Sequence, residues 1–157
     1  MKLSSGLAIT ILISSFFAYI IQTNFFNTSV ESKKFNTVNG QFIVYDLYKP
    51  KNVSKDNKMP FIVIVPGFQR SKEALSNFAI ELSRRNIVVA LIDPYAQGLS
   101  SSSLQNRSAT KEGYGMFDLV NHAYESEEFD YIDKKRIGTT GHSMGGNAAL
   151  RGANYFG

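Results

Sequence analysis

Gly141-His142-Ser143-Met144-Gly145-Gly146 sets a serine between glycines two residues before it and two residues after it. That spacing belongs to a turn so tight that side chains at positions 141 and 145 would collide with neighbouring backbone. The flanks fit such a turn. Residues 132–136 are polar and turn-like, Ile137-Gly138-Thr139-Thr140 reads as a short buried strand, and residues 147–153 carry small side chains at helical spacing. Strand, sharp turn and helix is the order that lifts a serine hydroxyl above a sheet with a helix N-terminus behind it. A glycine-rich strand–helix connection with an incidental serine is the plainer reading. A phosphate loop is a third, since Thr140-Gly141-x-x-x-Gly145-x-Asn147 approaches T-G-x-x-x-G-x-G. The final glycine of that loop is missing, the segment lies far from the chain start, and no G-x-x-x-x-G-K-[ST] occurs.

The residues upstream predict the sheet that such a turn needs. Gln41-Phe42-Ile43-Val44-Tyr45-Asp46-Leu47-Tyr48 alternates and reads as a strand with one face more exposed. Phe61-Ile62-Val63-Ile64-Val65 and Ile87-Val88-Val89-Ala90-Leu91-Ile92 are continuous apolar runs, as expected of strands covered on both faces. Between them, Ser71 is placed to cap a helix over 72–85, with Leu75, Phe78, Ala79 and Leu82 on its apolar side. Residues 93–110 read as a serine-rich loop and 115–127 as a helix facing inward through Met116, Leu119, Val120 and Ala123. Alternating strands and helices predict an α/β fold, a mostly parallel sheet with helices on both faces joined by right-handed crossovers. Chemistry in such sheets gathers beyond the carboxyl ends of the strands. Pro66-Gly67-Phe68, Asp93-Pro94-Tyr95 and Ser143 all fall at that edge.

Residues 3–21 hold no charge and would form a helix of about 28 Å, close to the roughly 30 Å hydrocarbon core. No small-x-small cleavage site follows, so the reading favours an uncleaved signal anchor over residues 1–22 to a cleaved signal peptide and a secreted product. Lys2 on the cytoplasmic side places the remainder outside the cytoplasm. Residues 23–40, rich in Asn, Thr, Ser and Lys, read as a linker to a domain over 41–157.

Composition removes several classes. There is no cysteine, which excludes disulfides, thiolate metal sites and a cysteine nucleophile. The net charge of +4 comes from scattered basic residues without a stripe interleaved with aromatics, which argues against nucleic acid as a partner. No cofactor and no metal is called for, and the oligomeric state is left open. Asn27-Thr28-Ser29, Asn52-Val53-Ser54 and Asn106-Arg107-Ser108 match the glycosylation sequon, which matters only in a eukaryotic secretory pathway.

Taken together, Ile64-Val65-Pro66-Gly67-Phe68 before a helix, Ile92-Asp93-Pro94, and Arg136-Ile137-Gly138 leading into Gly141-His142-Ser143-Met144-Gly145-Gly146 resemble the α/β-hydrolases. The likeness covers 41–157, the N-terminal half of that fold, and is nearest the dienelactone-hydrolase-like and bacterial lipase or cutinase branches. Dienelactone hydrolases proper use cysteine, so the serine implies esterase or lipase chemistry. Pro66 stands where many members carry histidine. The resemblance implies Ser143 as nucleophile, with the backbone N–H groups of Met144 and Phe68 as the oxyanion hole. It implies a small-molecule or lipid ester as substrate. The family takes its acid and then its histidine from positions after the serine, and no acidic residue or histidine follows Ser143 here. His142 adjoins the serine and is expected to pack under the turn; His122 precedes the elbow strand and reads as a surface or edge residue. Asp93 reads as a loop anchor. The expectation is an N-terminal part of a membrane-anchored serine hydrolase, nearly inactive alone, with acid and base beyond residue 157. The alternatives are a non-catalytic membrane-tethered binding module and an acyltransferase.

Overall fold

The structure, a computed structural model, describes residues 2–37, 40–102 and 113–156. The sequon at Asn106 and the serine-rich loop from 103 onward lie outside the described residues. Helix α1 (Lys2–Gln22) leads into strand β1 (Thr28–Asn36), then β2 (Phe42–Pro50) and β3 (Met59–Val65). A single 3-10 turn (Lys72–Leu75) precedes α2 (Ser76–Ser83), followed by β4 (Val88–Ile92), α3 (Met116–Glu125), β5 (Ile132–Gly141) and α4 (Met144–Phe156).

The strands form one sheet in the order β1-β2-β4-β3-β5. β3 lies between β4 and β5 and is parallel to both, and β1 and β2 add an antiparallel pair beside β4. β3 and β4 are uniformly apolar because both of their faces are covered. Phe61, Val63, Val65, Val88, Ala90 and Ile92 point into a core closed by α3 and α4. Ile64, Val89 and Leu91 point to the opposite face, under α2. The period of two along a strand divides adjacent residues between the two cores.

Several expectations need correction. Residues 28–36 are not linker: they pair with β2 along their whole length, Thr28 opposite Pro50 through Asn36 opposite Phe42. Their polar composition reflects an edge strand with one face in water, where Glu31, Ser32 and Lys34 lie exposed or half-exposed. The expected helix over 72–85 divides into the 3-10 turn and α2, and Ser71 makes no side-chain capping bond. The polar 132–136 segment begins β5, but it bulges. Met59 faces Ile132, and the next matched pair is Phe61 with Ile137, so residues 133–136 swing out of register as a turn-like insert.

Candidate active site

β3, β4 and β5 end side by side, at Val65, Ile92 and Gly141, and the segment after each turns over the same edge of the sheet. The elbow after β5 is held by main-chain bonds. His142 N–H donates to Val65 C=O (3.2 Å), Gly145 N–H to His142 C=O (2.9 Å) and Asn147 N–H to Ser143 C=O (3.0 Å). Ser143 is exposed and carries a φ of +54°. A side chain in that left-handed region costs about 1–2 kcal/mol, and the surrounding contacts enforce it. A Cβ on Gly141 would lie 2.5 Å from Val65 O and from the Gly145 carbonyl carbon; one on Gly145 would lie 1.9 Å from Val65 O. These two glycines let the start of α4 press against the end of β3.

The loop after β3 runs directly past the serine. A Cβ on Gly67 would meet His142 Nδ1 at 3.1 Å and Ser143 Cβ at 3.5 Å. Phe68 follows, its ring 69% exposed, so side-chain packing does not account for its position. Among the described residues neither the Phe68 N–H nor the Met144 N–H, at the first turn of α4, has a hydrogen-bond partner.

A clasp that sequence reasoning only half anticipated fixes this loop. Asp93, buried at the end of β4, accepts from Lys72 N–H at 2.7 Å and from Leu99 N–H at 2.9 Å. It thereby ties the segment after β3 to the loop after β4, as the loop-anchor reading expects. Gln69, at φ +55°, donates its N–H to the Gln97 side-chain carbonyl. Nothing in local sequence pattern points to Gln97, since a loop side chain bonding another loop leaves no periodic trace. The Lys72 ammonium is also buried, against Glu73 (2.6 Å) and Asp46 (3.4 Å). Burial pulls the lysine pKa down, but the Glu73 hydrogen bond and the charges of Asp46 and Asp93 outweigh that and leave it raised. The same contact, with the Ser71 hydroxyl, pushes Glu73 down to about 2.

Neither histidine reaches the serine hydroxyl. His142 is exposed and lies beside Gly67 rather than under the turn, because the close approach of Gly145 to Val65 leaves no space there. His122 lies near the start of β5, stacked on Phe35 (ring centroids 4.2 Å), edge-on to Phe129 (5.7 Å) and 3.5 Å from Glu128. Glu128 is held below its usual range by the Lys33 ammonium at 2.8 Å. Among the described residues no group of three or more His, Asp or Glu side chains is arranged to hold a metal. A groove of about 1150 Å³ follows the edge of β5, lined among others by Ile137, Thr139, Leu150 and Phe156; Ser143 is not one of its lining residues.

Residues 19–156 match the family described as PET hydrolase-like (PETase). A curated relative, the prolyl endopeptidase FAP of Bos taurus, is 30% identical over 108 residues, covering 65% of this chain and 14% of the bovine protein. Among solved structures, the α/β hydrolase GrgF from Penicillium sp. sh18 superposes with a TM-score of 0.67 at 23% identity, over 81% of this chain and 42% of that one. The Pyrococcus furiosus esterase Pf2001 gives 0.65 at 18% identity, over 83% and 49%. The chain thus spans less than half the length of each of these three proteins. The two structures share its fold, a mixed sheet with flanking helices.

Proposed function

Since the chain belongs to the PET hydrolase-like family of α/β-hydrolases, we propose that it carries the nucleophile half of a serine esterase acting on carboxylic esters. The observation that carries this reading is the elbow itself: an exposed serine at φ +54°, pinned by two glycines against the β3 loop. In this mechanism Ser143 Oγ attacks the ester carbonyl carbon while a base takes its proton. Negative charge gathers on the carbonyl oxygen, where the Phe68 and Met144 N–H groups meet it; one such donor is worth about 10²–10³ in rate. Collapse of the intermediate expels the alcohol, which takes the proton, and leaves the acyl group on Ser143. Water then attacks the acyl-enzyme and releases the acid. The base and its orienting carboxylate come from polypeptide outside these 157 residues, since neither histidine of the chain bonds the hydroxyl.

The same reading makes residues 1–22 a signal anchor, the one described helix long and apolar enough to cross a membrane, with the hydrolase domain on the extracytoplasmic side. That domain starts with β1 rather than at residue 41. The test is hydrolysis of p-nitrophenyl esters. Membranes that carry the protein hydrolyse them faster than membranes that lack it, Ser143→Ala removes the difference, and the purified 157-residue chain turns them over weakly or not at all. A difference that survives Ser143→Ala overturns the proposal.

A further inference from the structure

The end of the sheet opposite Ser143 is joined to α1 by a hydrogen-bonded connection. Thr23, buried, donates both its N–H (2.9 Å) and its hydroxyl (2.8 Å) to Tyr19 C=O, and Phe25 N–H donates to Ile20 C=O (2.8 Å). Thr28 N–H returns to Thr23 C=O (2.8 Å), and Lys51 N–H reaches Asn27 C=O (2.8 Å). At the C-terminal cap of α2, Arg84 donates to the last-turn carbonyl of Ile21 at 3.1 Å. These bonds tie the foot of α1 to the near end of the sheet.

Two features of this joint suit a bilayer surface. Three aromatic residues, Tyr19, Phe25 and Phe26, lie at the foot of α1, 54%, 69% and 44% exposed, with the Tyr19 and Phe26 rings 5.8 Å apart. Amphipathic and aromatic rings at the end of an apolar helix mark the headgroup level of membranes. Beside them is a polar pocket of about 320 Å³ walled by Lys51, Arg84, Asn24, Asn27, Asn52 and Asn86. It offers cationic and amide donors and no carboxylate. Lys51 has no ion pair among the described residues, whereas Arg84 pairs through Nη1 with Glu81 (2.5 Å), outside the pocket lining, and its Nε is buried without a hydrogen-bond partner. The Lys51 ammonium and the asparagine amide N–H groups match a phosphate, with the Arg84 side chain as the wall behind them.

We propose that this end of the fold is seated in the lipid headgroup layer, its aromatic residues in the interface and the Lys51–Arg84 pocket on a lipid phosphate. The sheet then stands upright on the bilayer. Thr28 and Pro50 lie at the lipid end, and β2 runs nine residues to the edge that holds the β4 loop, about 26 Å at roughly 3.3 Å per residue step. Resting on the function proposed above, this directs the Ser143 edge away from the membrane, towards esters arriving from the aqueous side and not lipids of the anchoring leaflet.

The chain contains no tryptophan, so single-tryptophan variants report position cleanly and need no activity. Full-length Phe25→Trp, Phe26→Trp and Leu99→Trp are reconstituted in vesicles of phosphatidylcholine and phosphatidylglycerol with lipids brominated near the headgroup end of the acyl chains. Tryptophan at 25 or 26 should lose most of its emission, and tryptophan at 99, in the loop after β4, should keep it. Lys51→Glu in the Phe25→Trp background should weaken the quenching. Unquenched emission at both 25 and 26, quenching at 99 equal to that at 25, or indifference to Lys51→Glu would overturn the proposal. A failure of ester hydrolysis leaves these readings untouched and counts against the catalytic proposal alone.

Discussion

Gly145 and Gly146 are neighbours in the first turn of α4, and the structure gives them opposite tolerances. An alanine Cβ at 145 would sit 1.9 Å from Val65 O, 2.6 Å from Val65 C and 2.8 Å from Pro66 O, all backbone atoms. Protein Cβ contacts essentially never fall under 3.0 Å, so α4 would have to retreat from β3 by more than 1 Å. An alanine at 146 meets Gly141 O at 3.4 Å, an ordinary contact. Neither glycine has a positive φ, so steric fit alone separates them. Overpacking costs about 1–3 kcal/mol, and with backbone on both sides Gly145→Ala should fall at the upper end, about 2–3 kcal/mol less stable after the helix-propensity gain. Gly146→Ala should gain up to about 1 kcal/mol from propensity. The gap of about 3–4 kcal/mol corresponds to roughly 10 °C in melting temperature for a chain of this size. Thermal denaturation of both variants in detergent, followed by circular dichroism, reads it directly. Equal shifts, or a larger loss at 146, would refute the claim that Gly145 exists to admit Val65 O.

Three further outcomes follow from the same contacts. Ser143→Gly should raise stability by about 1 kcal/mol by releasing the left-handed strain while removing the nucleophile; a loss of stability in urea titration would mean that φ +54° is not strained. Asp93→Ala should cost about 3 kcal/mol by leaving the Lys72 and Leu99 N–H groups without their carboxylate, with Asp93→Asn intermediate, and unchanged unfolding would remove Asp93 as the clasp. Glu73 has its folded pKa lowered to about 2 from 4.5, so its contribution is present above pH 4.5 and fades as pH falls towards 2. Because its side chain is 65% exposed, that contribution stays below about 1 kcal/mol. Glu73→Gln should therefore unfold slightly more easily than the parent at pH 7 and equally at pH 2, and a difference that grows in acid would reverse the argument.

What could be read from the residues alone divides by how local the determining force is. The apolar runs of β3 and β4 announce themselves because burial on both faces leaves no polar position. The elbow is legible because steric exclusion acts within five residues. β1 is not, because its nine residues are strand only through pairing with β2: a half-solvated edge strand rich in Ser, Lys and Asn has the composition of a linker. The displacement of His142 to the surface depends on the distance between α4 and β3, and the Gln69–Gln97 contact on two loops brought together by the sheet. Neither has a local signature. The bulge in β5 shows the reverse case, where a polar stretch correctly looked irregular yet belongs to a strand on either side of it.

The most direct test of the central claim is the chemical reactivity of Ser143 in native membranes. Treatment with a fluorophosphonate probe and digestion with trypsin yields the peptide from Ile137 to Arg151, which holds Ser143. The probe is expected on Ser143 of that peptide, because only a serine with an active base is phosphonylated. Recovery of the peptide wholly unmodified, under conditions where other serine hydrolases of the same membranes are labelled, would contradict it.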